Sequence, residues 1–74
     1  MKVSLRHFPS TKEGRRASFV AKEVIITAKN PTVNDLFKSY TEISPSTHRV
    51  ARGITYLVLE EPLFEGDILN IIPI

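Results

Sequence analysis

A chain of 74 residues is a single domain (residues 1–74) whose small core buries only about 60% of the surface exposed on unfolding. With 42% hydrophobic residues, 24% charged residues and only three glycines, it is an ordinary globular protein, which excludes disordered and fibrous classes. The absence of cysteine excludes disulfides, thiolate nucleophiles and Cys-based zinc or iron–sulfur sites. The net charge of +2 is unevenly spread: residues 1–40 carry eight Lys/Arg against three acidic residues, net +5, and residues 41–74 carry two against five, net −3. Such a dipolar surface helps orient a protein on a partner.

Met1, Val3 and Leu5 alternate with Lys2, Ser4 and Arg6, the pattern of a half-buried strand ending near Phe8 and stopped by Pro9. The same alternation leaves no unbroken apolar segment, so this end is read as neither signal peptide nor membrane span, and a cytoplasmic setting is expected. Ser10 to Arg16 is polar and basic around Gly14, which predicts an exposed loop. Ser18 to Thr27 is rich in β-branched residues and broken by Lys22-Glu23, which predicts a second strand with a bulge at that break. With Val24 and Ile26 toward the core, Phe19 and Ile25 fall on the opposite face and offer apolar surface for a partner to cover.

Lys29-Asn30-Pro31 forms a turn, after which Thr32 begins a helix with Asp35 three residues on, an acidic variant of the capping box. Val33, Leu36, Phe37 and Tyr40 fall at i, i+3, i+4 and i+7, one apolar stripe. Thr41 to Thr47 is a polar connector. His48 to Ala51 reads as a short strand, Arg52-Gly53 as a turn, and Ile54 to Leu59 as a further strand ended by Glu60-Glu61-Pro62. Glu65-Gly66-Asp67 is a tight turn into a last strand, in which Leu69 and Ile71 share one face while Ile68 and Ile72 share the other. Both faces want burial, so this strand belongs in the middle of its sheet. The order β-β-α-β-β-β, with one helix across a mixed sheet of about five strands, is the α+β arrangement called a β-grasp.

The helix opening Thr32-Val33-Asn34-Asp35-Leu36, the segment Ile43 to Gly53 with its Pro45 connector and glycine turn, and the ending Pro62 to Pro73 together resemble the ubiquitin-like sulfur carriers of the ThiS/MoaD type, the thiamin sulfur carrier and the small subunit of molybdopterin synthase. The resemblance spans roughly residues 23–74 and implies a ubiquitin-like β-grasp carrier that is not itself an enzyme. It also implies a C-terminal diglycine, adenylated by an activating enzyme and converted to a thiocarboxylate, on a tail free of side chains that threads into another protein's active site. In this sequence Pro73 is followed by Ile74 in place of a diglycine. Either the tail has been lost by truncation or maturation, or the chain is a relative that kept the fold as a binding surface. TGS modules, another β-grasp group, also end near a Gly-Asp-Ile-type strand without a diglycine.

The resemblance places partner contacts at Phe64, Ile72, Pro73 and Ile74, since related folds bind through the sheet face near the C-terminal end; the competing reading puts Phe64 and Ile72 in the core. The expected partner is an activating enzyme or a larger synthase subunit. Lys12, Arg15 and Arg16, with Lys2, Arg6 and Lys22, form a possible basic patch for RNA. Its charges are not interleaved with aromatic residues that would stack on bases, so a solvated loop, or one that steers an acidic protein, competes with that reading. His7 and His48 are far apart and lack a transition-metal ligand set. Adjacent Glu60 and Glu61 would point to opposite faces of a strand and cannot work as an acid–base pair. Ser10, Thr11 and Ser18 have no nearby activating base. No catalytic residue, metal or cofactor is expected. The sequence thus points to a non-enzymatic sulfur-carrier-type protein acting by protein–protein contacts, or alternatively to a stand-alone TGS-like or other β-grasp module for RNA or a larger enzyme.

Overall fold

The alternation at the N-terminus becomes strand β1 (Lys2–His7), which sends Val3 and Leu5 wholly out of solvent on one side and Lys2, Ser4 and Arg6 to the other. The computed structural model describes residues 1–8 and 19–74, so the basic loop with Lys12, Arg15 and Arg16 lies outside the described residues. Strand β2 (Val20–Ile25) runs antiparallel to β1 in unbroken register from Lys2 opposite Ile25 to His7 opposite Val20. The bulge expected at Lys22-Glu23 is therefore absent. The two charges simply alternate faces: Lys22 reaches Glu42 at 3.1 Å, and Glu23 reaches Lys2 at 3.7 Å.

Helix α1 (Val33–Ser39) starts where the sequence places it. The Thr32 N–H donates to the Asp35 carboxylate at 2.9 Å, and the Thr32 hydroxyl donates to the same oxygen at 3.2 Å. Val33, Leu36 and Tyr40 are buried and Phe37 is half-buried, so the apolar stripe is the face that packs on the sheet. Seven residues cannot sustain a helix alone, and this packing holds it.

Strand β3 (His48–Arg52) turns through Gly53, at φ 64°, into β4 (Thr55–Tyr56). The strand expected over Ile54–Leu59 is thus only two residues long. Leu57 still donates to the Val50 carbonyl at 2.9 Å, but the chain then leaves the sheet to satisfy the start of α1. The N–H groups of Val33 and Asn34 donate to the carbonyls of Glu61 and Leu59, each at 3.0 Å. Glu60 and Glu61 consequently lie in this connection and not at the end of a strand.

The last strand, β5 (Ile68–Pro73), occupies the centre of a five-stranded sheet ordered β2-β1-β5-β3-β4, parallel to β1 and antiparallel to β3. Its central position is as expected, but only one of its faces is covered. Leu69 and Ile71 are fully buried in the core with Val3, Leu5 and Leu36, whereas Ile68 is 49% exposed on the other face. The helix is laid across one side of the sheet and, among the described residues, nothing is laid across the other.

Candidate functional site: the open face of the sheet

Strand register decides what this face presents. Side chains alternate along each strand, so the residues out of phase with the core share the side away from α1: Ala21, Glu23 and Ile25 on β2, Lys2, Ser4 and Arg6 on β1, Ile68, Asn70 and Ile72 on β5, Arg49 and Ala51 on β3, and Tyr56 on β4. Ile68 and Ile72 form an apolar strip along the middle, interrupted by Asn70, whose side-chain amide donates to the Gly53 carbonyl at 3.0 Å. Arg6 stands opposite Asn70 on one flank, and Arg49 stands opposite Ile72 on the other. Ile25, 69% exposed, and Tyr56 extend the apolar surface to the two edges. Beyond the end of β1, Phe8 and Phe19 pack ring against ring at 5.6 Å, and the Arg6 guanidinium sits 5.0 Å from the Phe19 ring. Among the described residues neither Arg6 nor Arg49 pairs with a carboxylate. The face is thus apolar along its axis and cationic along its flanks, a composition suited to an apolar surface edged with carboxylates. The sequence reading found Phe19 and Ile25 and placed Arg6 in a basic patch, but missed Ile68, Tyr56 and Arg49, which join them only through strand order.

The four residues expected to touch a partner do not form one cluster. Ile72, Pro73 and Ile74 gather at the end of β5, where Ile72 and Pro73 are half-buried and Ile74 is 70% exposed with its N–H bonded to the Thr47 carbonyl at 2.9 Å. Phe64 stands at the opposite end of the same strand. It is 58% exposed and therefore not a core residue. Its position is set by Asp67, whose carboxylate accepts the Phe64 N–H at 2.9 Å and takes two bonds from the Arg52 guanidinium, at 2.8 and 3.3 Å. The same guanidinium donates to the Pro62 carbonyl at 3.2 Å and lies 5.4 Å from the Phe64 ring centre. Burial alone would raise the Asp67 carboxyl, but the Arg52 bonds, the Phe64 N–H and the Arg52 charge outweigh it and hold the group below the usual carboxylate range.

The two histidines, distant in sequence, bracket the end of β5 on the helix side, His7 opposite Ile71 and His48 opposite Pro73. His7 packs edge-on against Tyr40 with ring centres 5.4 Å apart, and its Nε2 is buried without a hydrogen-bond partner among the described residues. Burial first, and then the nearby His48, lower the His7 pKa against the opposing pull of Glu42. His48 Nδ1 is engaged with the Thr47 hydroxyl at 2.8 Å. An open groove of about 330 Å³ lies between α1 and the segment after β4, lined in the main by Val33, Phe37, Val50, Leu57 and Leu59. His48, Arg49 and Glu60 also line it. No helix among the described residues is long and apolar enough to cross a membrane.

No family model matches this sequence, and no curated protein matches it. Among solved structures, the crystal structure of SAMP1 from Haloferax volcanii superposes with a TM-score of 0.62 at 16% identity, covering 100% of this chain and 96% of that one. At so low an identity the likeness carries architecture alone, and that architecture is the ubiquitin-like β-grasp: a mixed five-stranded sheet with one helix across it.

Proposed function

We propose that this chain is a non-catalytic, ubiquitin-like protein of the sulfur-carrier type, related in role to the thiamin and molybdopterin carriers and acting in the cytoplasm through protein–protein contacts. The observation that carries the reading is the open sheet face: an apolar strip, Ile68 and Ile72, on the central strand that leads the chain out past Pro73. A partner seated on this face, an activating enzyme or a larger synthase subunit, would receive the end of β5 directly. Phe64, Ile72, Pro73 and Ile74 are its proposed contacts, with Phe64 at one end of the strand and the other three at its far end.

The test is an amide-shift titration of the labelled chain with the activating enzyme of the same cell. Shifts on Ile25, Ile68, Ile72 and Arg49 are expected, and Ile68→Asp should weaken the complex about tenfold or more, the range of a central apolar anchor. Shifts confined to α1 would remove the open face from consideration. Intact mass of the protein from its own cell addresses the carrier chemistry: a species extended by Gly-Gly or bearing a thiocarboxylate supports it, and a mass ending at Ile74 with no binding to an activating enzyme refutes it.

A second reading, a TGS-like or other module that binds RNA, is favoured by Arg6 standing 5.0 Å from the Phe19 ring, which packs on Phe8, with Arg49 and Tyr56 on the same face. It requires a steep salt dependence that Arg15→Ala and Arg16→Ala, or Arg6→Ala and Arg49→Ala, flatten.

A further inference from the structure

The two edges of the sheet differ. On one side β4 is two residues long and the chain then turns away to the helix. On the other, β2 runs six residues, and every residue of it except Val24 is exposed. Which of its main-chain groups face outward follows from the phase of the ladder. Met1 and Ile26 exchange both bonds, the Met1 amino group donating to the Ile26 carbonyl at 2.9 Å and the Ile26 N–H to the Met1 carbonyl at 2.7 Å. In an antiparallel pair this pattern returns every second residue, so Val20, Lys22 and Val24 bond to β1. The N–H and C=O groups of Ala21, Glu23 and Ile25 therefore point away from the sheet, and none has a hydrogen-bond partner among the described residues. Proteins usually blunt such an edge with a bulge, a proline or a short strand. Here the described edge carries none of these, and of its two charges Lys22 is turned to Glu42 on the helix side, which leaves Glu23 as the charge on the open face.

A second copy of the chain fits this edge poorly. Two β2 strands related by a two-fold axis normal to the sheet can pair only in registers that set residues of equal parity opposite one another. The two registers with the longest overlap place Lys22 against Lys22 or Glu23 against Glu23, like charges face to face. A different strand has no such conflict. The side chains that would meet it on the open face are Ala21, Glu23 and Ile25. Glu23 is well exposed, and its contact with Lys2 is long, at 3.7 Å, so it can take a further cation.

We propose that the outer edge of β2 is a docking site for an extended segment of a partner protein, which adds a sixth strand and sets a basic residue opposite Glu23 and an apolar residue opposite Ile25. The site is separate from the strip of Ile68 and Ile72 and does not depend on it.

The test uses the whole labelled chain and a capped seven-residue peptide of alternating valine and threonine with a central lysine. Saturable amide shifts are expected at Ala21, Glu23 and Ile25, with hydrogen exchange of those amides slowed about tenfold or more at saturation. Changing the peptide's lysine to glutamate should weaken binding about fivefold. Methylating the alternate peptide nitrogens that face β2 should abolish it. Ala21→Pro removes one outward N–H without touching the β1 ladder and should weaken binding about tenfold. Glu23→Lys, which leaves the main chain intact, should reverse the preference between the two peptides. Ile68→Asp should leave peptide binding unchanged, which separates this site from the open-face reading. Equal binding by the methylated peptide, shifts away from β2, or self-association of the chain through β2 would overturn the proposal.

Discussion

Asp67 holds three things at once: the turn before β5, the Arg52 side chain and, through its bond to the Phe64 N–H, the exposed aromatic ring. Asp67→Asn keeps the volume but weakens each of these, and unfolding should show a loss of about 1–2 kcal/mol, the scale of charge-assisted bonds at a partly exposed site. The pH dependence has a definite sign. The native Asp67 carboxyl titrates below its unfolded counterpart, so on acidification the unfolded chain takes up the proton first. Its contribution is complete above about pH 4 and disappears as pH falls through the lower native value, and the Asn variant should lack that part of the acid limb. His7 behaves in the same sense at milder pH. Its native pKa lies below 6.5, so stability declines as pH drops below that value and the unfolded imidazole protonates first. Denaturant unfolding at pH 7.5 and 5.0 should show a smaller difference for His7→Phe, which keeps a ring against Tyr40, than for the parent chain. Gly66, at φ 81° with open space where a Cβ would sit, isolates backbone conformation from packing: Gly66→Ala should cost about 1–2 kcal/mol through the left-handed geometry alone.

Helix α1 and strand β4 show why one element is legible in a sequence and another is not. The helix carries its own signals, the Thr32–Asp35 cap and a stripe at Val33, Leu36, Phe37 and Tyr40, and the structure keeps them all. Leu36 is fully buried, so Leu36→Ala should cost about 2–5 kcal/mol, while Phe37→Ala should cost less than a fully buried phenylalanine because Phe37 is only partly buried and lines the groove; thermal or denaturant unfolding of both variants gives the order. Residues 54–59 carry strand-like side chains, yet only Thr55 and Tyr56 pair in the sheet. The competitor was the need of the first N–H groups of α1 for acceptors, met by Leu59 and Glu61, and nothing local to Ile54–Leu59 announces that demand. The two sides of β5 were equally ambiguous. Ile68 and Leu69 look alike in sequence, and only the crossing of a single helix over one side separates an exposed strip from the core. In the same way Phe64 reads equally as a partner contact and as a core residue until Arg52, distant along the chain, is seen beside its ring.

At the scale of the molecule, the sheet keeps the strands of the basic half, β2 and β1, on one side and those of the acidic half, β5, β3 and β4, on the other. Among the described residues one ion pair, Lys22 with Glu42, joins the two halves, and Arg6 and Arg49 stand on the open face without a carboxylate partner. Charge reversal of both, Arg6→Glu with Arg49→Glu, should slow association with a partner docked there and weaken its salt dependence, as stopped-flow rates at two ionic strengths would show. The parallel pairing of β1 with β5 has a consequence for how the molecule comes into being. Ser4 lies opposite Ile68, 64 positions along, and the β3 hairpin reaches β1 only through that last strand. Ladders closed over such separations form late and slowly. On the ribosome the N-terminal hairpin must wait with one flank vacant until β5 clears the exit tunnel, so nascent chains stalled before residue 68 should stay open to protease and to chaperones, and the domain should close in one cooperative step after its final segment emerges.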